Sequence, residues 1–183
     1  MIIGVVGLIA SGKDEVAEYL ETKGFENHSL SSILREILKK KGIETTVDNL
    51  TKYGNELRDK KGPGYLAKIA HRRIRSDRAV ITSIRQVGEI KYLRKTPDFF
   101  LVKVTAPIKM RFERVKKRGR AGDVKSVADL KRIEKLQASG KGGGMNMDQC
   151  MALADFEIKN VGTFDELHRK VDDLLKKISK KEQ

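Results

Sequence analysis

The chain has 183 residues, with 39 Lys or Arg against 25 Asp or Glu, and its formal net charge at pH 7 is +14. This length can bury one good hydrophobic core without dividing, so we expect a single domain over residues 1–183. No apolar run is long enough to span a bilayer, and no basic segment precedes the first apolar run as in a signal peptide. A single cysteine excludes an internal disulfide and is typical of a reducing compartment, so we expect a cytoplasmic protein.

The excess of positive charge is consistent with two classes of partner, nucleic acids and phosphorylated small molecules. Aromatic residues make up only 5% of the chain, tryptophan is absent, and no aromatic side chains alternate with basic ones. A surface that stacks on nucleic-acid bases needs such side chains. The composition therefore favours a small phosphorylated partner and leaves nucleic acid open as a second one.

The first predicted element is a β-strand at residues 1–7, an apolar run rich in β-branched side chains. It runs into a loop with the pattern G-x-x-x-x-G-K, and a stretch with helical periodicity follows. A loop of this kind turns backbone N–H groups inward and points a helix N-terminus at the same place, which makes a binding site for a polyphosphate. The predicted nucleotide-binding residues of the loop are Gly7, Ala10, Ser11, Gly12 and Lys13. The alternative is a glycine-rich turn with a solvated lysine.

Residue 14 departs from the usual form of this loop. Asp14 stands where Ser or Thr normally supplies a hydroxyl to Mg²⁺. The strand predicted at residues 78–84 has Thr82 near its end, where the second Mg²⁺ ligand is usually an Asp. We infer that the two ligands have exchanged places, so that Asp14 supplies a carboxylate and Thr82 a hydroxyl. The alternative is that Asp14 only caps the helix that follows.

Short apolar strands alternate with helical segments through the rest of the chain. The strands are predicted at residues 1–7, 25–29, 78–84, 98–104 and 155–160. This alternation is typical of an α/β protein, and it predicts a five-stranded parallel sheet covered by helices on both faces, a three-layer α/β/α architecture. The last helix is predicted to begin with a capping box formed by Thr163 and Glu166.

Arginines suited to neutralising phosphates occur in several separate segments. One predicted helix carries Arg111, Arg114 and Arg118 on one side, at spacings i, i+3 and i+7. Arg85 follows the third strand, at the carboxyl edge where ligands of open α/β sheets bind. Convergence of such arginines is expected for phosphoryl transfer. The alternative for the helix is a solvated basic face whose arginines pair with acids such as Asp123.

Five segments occur in an order that carries a resemblance to a known family. They are the phosphate loop, Ser29-Leu30-Ser31-Ser32-Ile33-Leu34-Arg35, Ser83-Ile84-Arg85, the arginine helix and Ala154-Asp155-Phe156-Glu157-Ile158-Lys159-Asn160-Val161-Gly162-Thr163. In this order the chain resembles the nucleoside monophosphate kinase group of P-loop proteins over nearly its whole length. It resembles in particular a largely archaeal set that is similar to adenylate kinase and dephospho-coenzyme A kinase.

The resemblance implies a P-loop NTPase fold with a helical lid at about residues 119–145 and acceptor-binding helices at about 30–75. The residues that it implies are catalytic are Lys13, Arg85, Arg114, Arg118 and Arg132. The residues that it implies bind the acceptor are Arg35, Asn55, Arg58 and Arg85. The residues that it implies bind ATP, besides those of the loop, are Asp14 and the adenine-packing turn with Asn160, Val161, Gly162 and Thr163.

The activity that the resemblance implies is transfer of the γ-phosphoryl group of ATP, with Mg²⁺, to a (deoxy)nucleoside monophosphate. Related chains often have Asp-Gly-x-Arg where this one has Thr82-Ser83-Ile84-Arg85, and the missing acid removes a base for a hydroxyl acceptor. A phosphate acceptor needs no such base, because its oxygen is already anionic at neutral pH. Transfer to a sugar hydroxyl, as in dephospho-coenzyme A kinase, stays an alternative. So do an RNA-associated P-loop ATPase and a nucleotide-binding module without catalysis.

Overall fold

The computed structural model of the chain describes residues 1–119, 123–138 and 146–180. The described residues form an α/β structure in which the paired strands are parallel. The glycine-rich part of the predicted lid, residues 139–144, lies outside the described residues, as does 120–122. None of the described helices is long and apolar enough to cross a membrane.

Five strands form the sheet in the part of the chain that the structure describes. They are β1 (Ile2–Val6), β2 (Glu26–Ser29), β3 (Ala79–Thr82), β4 (Phe99–Thr105) and β5 (Phe156–Lys159). Their order across the sheet is β2-β3-β1-β4-β5. The five predicted strands are therefore confirmed, each close to the residues expected.

Helices connect the strands and cover both faces of the sheet. Those described are α1 (Lys13–Thr22), α2 (Leu30–Lys40), α3 (Val47–Lys61), α4 (Tyr65–Arg73), α5 (Val87–Leu93), α6 (Ile108–Arg118), α7 (Val127–Ala138), α8 (Met147–Ala152) and α9 (Phe164–Ser179). The capping box predicted for the last helix is confirmed. The Thr163 hydroxyl accepts from the Glu166 N–H, and the Glu166 carboxylate accepts from the Thr163 N–H.

The central strand β1 has a hydrophobic core on each of its faces. Because successive side chains of a strand point to opposite faces, Ile2 and Val6 lie in one core and Ile3 and Val5 in the other. The first core includes side chains of α2, α4 and α5, and the second includes side chains of α1 and α9. Parallel sheets are typically buried on both faces in this way. The predicted three-layer α/β/α architecture is confirmed.

The connections between the strands create a crevice at the carboxyl end of β1. After β1 the chain builds β2 and β3 on one side of that strand, and then crosses to build β4 and β5 on the other side. Ligands of open α/β sheets bind at such a reversal. The fold therefore brings the loop after Val6 beside the end of β3 at Thr82.

Candidate active site

The loop after β1 has the geometry that its glycines predict. Gly12 has a φ of 99°, in the left-handed region, and is the N-cap of α1, which begins at Lys13. A Cβ at Gly12 would lie 2.1 Å from Asn160 Nδ2, and a Cβ at Gly7 would lie 2.4 Å from Ser11 Oγ. Neither position has room for a side chain. The first N–H groups of α1 have no partners within the helix, so the loop and helix together offer a cradle that fits a polyphosphate.

Lys13 lies close to the loop and to several other cations. Its Nζ donates to the Leu8 carbonyl at 3.5 Å, a long and weak hydrogen bond. Burial lowers the pKa of Lys13, and the charges of Arg85 and Arg118 act in the same direction, whereas Asp14 opposes them. A bound phosphate would offset the repulsion among these cations.

The carbonyl side of the loop is held by Arg114 and Asn160. The Arg114 guanidinium donates to the carbonyls of Ala10 and Ser11 at 3.3 and 3.4 Å, and to the main-chain and side-chain oxygens of Asn160 at 3.0 and 3.2 Å. The buried Asn160 amide donates to the Ser11 carbonyl at 2.9 Å. In a planar trans peptide the carbonyl points opposite to the next N–H. Fixing the Ser11 carbonyl therefore fixes the direction of the Gly12 N–H.

These contacts place two predicted site residues, Arg114 and Asn160, differently from the prediction made from the sequence. The sequence predicts Arg114 beside the phosphates, whereas the structure places its guanidinium against loop carbonyls. The sequence predicts Asn160 in a turn against adenine, and the structure directs its side chain to the phosphate loop. In that turn Thr163 caps α9, and a Cβ at Gly162 would overlap the Glu166 carboxylate at 1.4 Å. An adenine contact of this turn stays a prediction.

The other arginines of α6 have acidic partners. Arg111 is 5% exposed, donates to the Ile9 carbonyl at 3.1 Å and forms an ion pair with Glu134 of α7. Arg118 pairs with Asp123, with its Nε 2.9 Å from Oδ2, as in the alternative stated for this helix. The hydrogen bonds that Arg118 donates to the Asp123 carboxylate raise the pKa of Arg118. The three arginines of α6 therefore contact different partners: Arg111 contacts Glu134, Arg114 contacts the loop and Asn160, and Arg118 contacts Asp123.

Arg118 and Arg132 differ in their position relative to the loop. Arg118 lines an opening next to Lys13 and Asp14. The Arg132 side chain on α7 is 70% exposed and lies 3.8 Å from Asp129. The structure therefore brings Arg118 to the phosphate loop and leaves Arg132 in solvent, so a catalytic role for Arg132 stays a prediction.

A pocket of about 360 Å³ opens between the phosphate loop and the carboxyl ends of β2 and β3. The predicted site residues that line it are Lys13, Asp14, Arg35, Thr82 and Arg85. Burial lowers the pKa of Arg85, and the nearby charges of Arg58 and Arg35 act in the same direction. The fold has thus gathered cations from three separate segments around one pocket, beside the glycine-rich loop after β1.

Three serine hydroxyls form a cluster in the wall of this pocket. The Oγ atoms of Ser29, Ser31 and Ser83 lie 3.0–3.2 Å from one another, and Arg35 donates to Ser31 Oγ at 3.0 Å. Ser83 has a φ of 60°, which is uncommon for a residue other than glycine. Related chains often have glycine at this position. In this chain the Ser83 hydroxyl forms hydrogen bonds with the hydroxyls of two neighbouring serines.

The sequence did not predict the buried carboxylate of Glu89, which contacts the main chain of Arg85. Glu89 is 1% exposed, and its Oε2 accepts from the N–H groups of Arg85 and Gln86 at 2.8 and 3.1 Å. Its Oε1 lies 3.6 Å from an Arg58 Nη2, and Arg58 also donates to Asn55 Oδ1 at 3.2 Å. The available signal was the spacing of Gln86 and Glu89, since an acid three residues after an N-cap often bonds the N-cap N–H.

Asp14 and Thr82 offer oxygen atoms that suit Mg²⁺. Asp14 is exposed in the first turn of α1, while Thr82 is buried at the end of β3. The N-cap is Gly12, so Asp14 is not the capping residue. Mg²⁺ usually takes one or two carboxylates and completes its shell with water and phosphate oxygens. The described part of the chain has no cluster of three or more His, Cys, Asp or Glu that would hold a metal alone, and the residues present fit a nucleotide-bound Mg²⁺.

Comparison with known proteins shows where this chain belongs. Residues 3–137 match the model of a family described as AAA domain. A UPF0200 protein from Pyrococcus horikoshii is 32% identical over 97% of this chain and 97% of its own length, and one from Thermococcus gammatolerans is 33% identical over 97% and 95%. The chain belongs to the AAA domain family and the UPF0200 family. It spans 56% of the length of a 32% identical UPF0200/UPF0201 protein from Archaeoglobus fulgidus.

Solved structures share the fold of this UPF0200 chain at low sequence identity. TT1252 from Thermus thermophilus is 19% identical with a TM-score of 0.60, over 97% of both chains. A shikimate kinase from Bacteroides thetaiotaomicron is 11% identical with a TM-score of 0.60, over 96% of this chain and 98% of its own. A shikimate kinase from Aquifex aeolicus is 14% identical with a TM-score of 0.56, over 98% of both chains. The predicted P-loop NTPase fold is therefore confirmed.

Proposed function

We propose that this protein transfers the γ-phosphoryl group of ATP to a (deoxy)nucleoside monophosphate. The observation that carries the proposal is that Lys13 of the phosphate loop, Arg35 and Arg85 line one pocket. Phosphoryl transfer depends mainly on positioning and on neutralising charge, and cations from separate segments around one pocket supply both. The nucleoside monophosphate as acceptor, in preference to other phosphorylated molecules, rests on the resemblance stated above.

The local charges favour an anionic acceptor as well as an anionic donor. Burial lowers the pKa values of Arg85 and Lys13; the charges of Arg58 and Arg35 lower that of Arg85 further, and the charge of Arg85 lowers that of Lys13 further. An acceptor phosphate would offset this repulsion, and its anionic oxygen could attack without a general base. In this proposal Arg35 and Arg85 hold the acceptor phosphate, and the helices at residues 30–75 form its side of the site.

Mg²⁺ would be held by the Asp14 carboxylate and the Thr82 hydroxyl. When bound there with a nucleotide, Mg²⁺ would neutralise charge on the phosphates. The test is a Mg²⁺ titration of ATP turnover in Asp14→Ala, with Glu21→Ala as a control at an exposed acid of the same helix that does not line the pocket. We expect Asp14→Ala to need at least tenfold more Mg²⁺ and the control to match the wild type. An unchanged metal requirement in Asp14→Ala would contradict this ligand assignment.

Transfer to a hydroxyl group is the second candidate. The fold is shared with shikimate kinases, whose name states a hydroxylated substrate, and a hydroxyl acceptor would need a base near the pocket. Asp14 and Glu18 are the carboxylates that line the pocket. Both are base candidates in this reaction, and Asp14 in that role would not be free to hold Mg²⁺. This competition is why we place the phosphate acceptor first.

One experiment separates these functions. Purified protein is given ATP and Mg²⁺ together with each nucleoside monophosphate, each deoxynucleoside monophosphate, dephospho-coenzyme A or shikimate, and mass spectrometry reports which acceptor gains a phosphoryl group. We expect the gain on a nucleoside monophosphate. A gain only on dephospho-coenzyme A or shikimate would support the second candidate. ATP hydrolysis that rises with RNA, or ATP binding without any product, would contradict both kinase proposals.

A further inference from the structure

We propose that Glu89 is a positioning residue that makes Arg58 of α3 and Arg85 act together on the acceptor phosphate. The inference rests on the proposed function only in taking a phosphate as the ligand of these arginines. Glu89 is 1% exposed, so its carboxylate does not itself reach the pocket. Its influence on a ligand must pass through the groups that it contacts.

The first of these groups is the main chain around Arg85. The Arg85 N–H donates to Glu89 Oε2 at 2.8 Å, and the next N–H, of Gln86, donates to the same oxygen at 3.1 Å. On the other side of the turn, the Arg85 carbonyl accepts from the Asn146 N–H at 2.9 Å. With both its N–H and its carbonyl engaged, the Arg85 main chain has one preferred direction. Glu89 therefore helps to set where the Arg85 side chain enters the pocket.

The second group is the Arg58 guanidinium. Its Nη2 lies 3.6 Å from Glu89 Oε1, and its Nη1 donates to Asn55 at 3.2 Å. Its Nε is buried and has no hydrogen-bond partner among the described residues. A buried donor without a partner is costly, so an attractive charge must hold this side chain in place.

The negative charge of Glu89 opposes the repulsion between the Arg58 and Arg85 cations. The charge of Arg58 lowers the pKa of Arg85, whereas the charge of Glu89 raises it. Glu89→Gln would keep one oxygen for the two N–H groups, and it would replace the charged oxygen that faces Arg58 with an uncharged NH2 group. Glu89→Gln therefore tests the electrostatic coupling while the turn keeps its hydrogen bonds.

The experiment uses the full chain saturated with ADP, so that nucleotide occupies the phosphate loop. Inorganic phosphate is titrated in, and NMR follows the Nε–H signals of Arg58 and Arg85. Without the buried charge that holds Arg58 beside the Arg85 turn, the two guanidinium groups repel each other, so we expect phosphate affinity to fall about tenfold or more in Glu89→Gln. ADP affinity, measured by calorimetry, should stay within twofold. Glu113→Gln, at an exposed acid of α6, is the control and should match the wild type in both measurements.

The outcomes distinguish coupling from general damage. Phosphate affinity within twofold of the wild type in Glu89→Gln would overturn the proposal. An equal loss of ADP and phosphate affinity would also overturn it, because that pattern indicates an altered fold.

A second variant covers the case in which Glu89→Gln does not fold. Arg58→Gln should weaken the response of the Arg85 signal to phosphate by at least threefold, and an Arg85 signal that titrates as in the wild type would overturn the coupling. A chain that phosphorylates no acceptor, yet loses phosphate affinity in Glu89→Gln as described, would overturn the proposed function and support the coupling.

Discussion

Arg114 and Asn160 contact each other at two points and together hold the Ser11 carbonyl. Arg114 donates to both oxygens of Asn160, at 3.0 and 3.2 Å, and each of the two side chains donates to Ser11. The phosphate loop is thus stabilised from its carbonyl side by α6 and by the residue after β5. Removal of either side chain should loosen the loop N–H groups that a nucleotide would contact.

Asn160→Ala removes the shortest of these hydrogen bonds to the loop, the 2.9 Å bond to the Ser11 carbonyl. We expect ADP affinity to fall about tenfold and the free energy of unfolding to fall by about 1–3 kcal/mol, because the Ser11 carbonyl loses a buried donor. Calorimetry and urea unfolding measure the two effects. Asn49→Ala, which removes an exposed hydrogen bond at the beginning of α3, is the control and should leave ADP affinity unchanged. Wild-type ADP affinity in Asn160→Ala would contradict a role for this contact in the loop.

Arg85→Ala and Arg118→Ala test the proposed phosphoryl transfer. Each should lower the transfer rate about 10³-fold, since positioned arginines stabilise the charge of the transition state. The rate is measured with the acceptor that gains mass in the panel, and circular dichroism checks the fold. Lys116→Ala removes an exposed cation of α6 that pairs with Glu113, and its rate should stay near normal. Near-normal rates in both arginine variants would argue for a function without phosphoryl transfer.

Ala10→Gly tests the backbone strain in the phosphate loop. Ala10 has a φ of 56°, and the left-handed conformation costs a residue with a Cβ roughly 1–2 kcal/mol. We expect urea unfolding to give Ala10→Gly a free energy of unfolding equal to the wild type or up to about 1 kcal/mol higher. Ala128→Gly, at an exposed helical position of α7, should instead lose about 0.5–1 kcal/mol. Equal losses in the two variants would mean that Ala10 is not strained.

The pH dependence of stability should report the burial of Glu89. Burial raises the pKa of the Glu89 carboxyl, against the opposing effects of Arg58 and of the Arg85 and Gln86 N–H groups. A raised pKa means that the folded state holds this proton more tightly than the unfolded state does. The stability contributed by Glu89 therefore falls as the pH rises from the ordinary pKa of a glutamate to the raised pKa of Glu89 in the folded state.

Glu89→Gln has no carboxyl that can titrate at this position. Relative to the wild type, its free energy of unfolding should therefore increase with pH from 4.5 upward and become constant above the folded pKa of Glu89. Urea unfolding at a series of pH values measures the difference. A free energy of unfolding of Glu89→Gln that decreases relative to the wild type as pH rises would contradict the assigned direction of the shift.

The sequence predicted the strands and the phosphate loop because both depend on local patterns. A β-branched run that ends at Gly7 and the spacing of Gly12 and Lys13 leave few other conformations. The capping box of Thr163 and Glu166 is equally local, and the structure confirms it. The positions of the arginines were harder to predict, because the i, i+3, i+7 spacing of α6 places three side chains on one side of a helix without identifying what they face.

By itself the sequence determined the α/β fold, the order of its elements and the position of the phosphate loop, since hydrophobic periodicity and glycine spacing are properties of neighbouring residues. Only the tertiary structure decided that Arg114 holds loop carbonyls, that Arg118 pairs with Asp123, and that Glu89 is buried beside Arg85. The partner of a charged side chain is set by which segments the fold brings within a few ångströms, and by how much water it leaves there. Arg114 meets a loop 103 residues away in the chain, and no local pattern contains that distance.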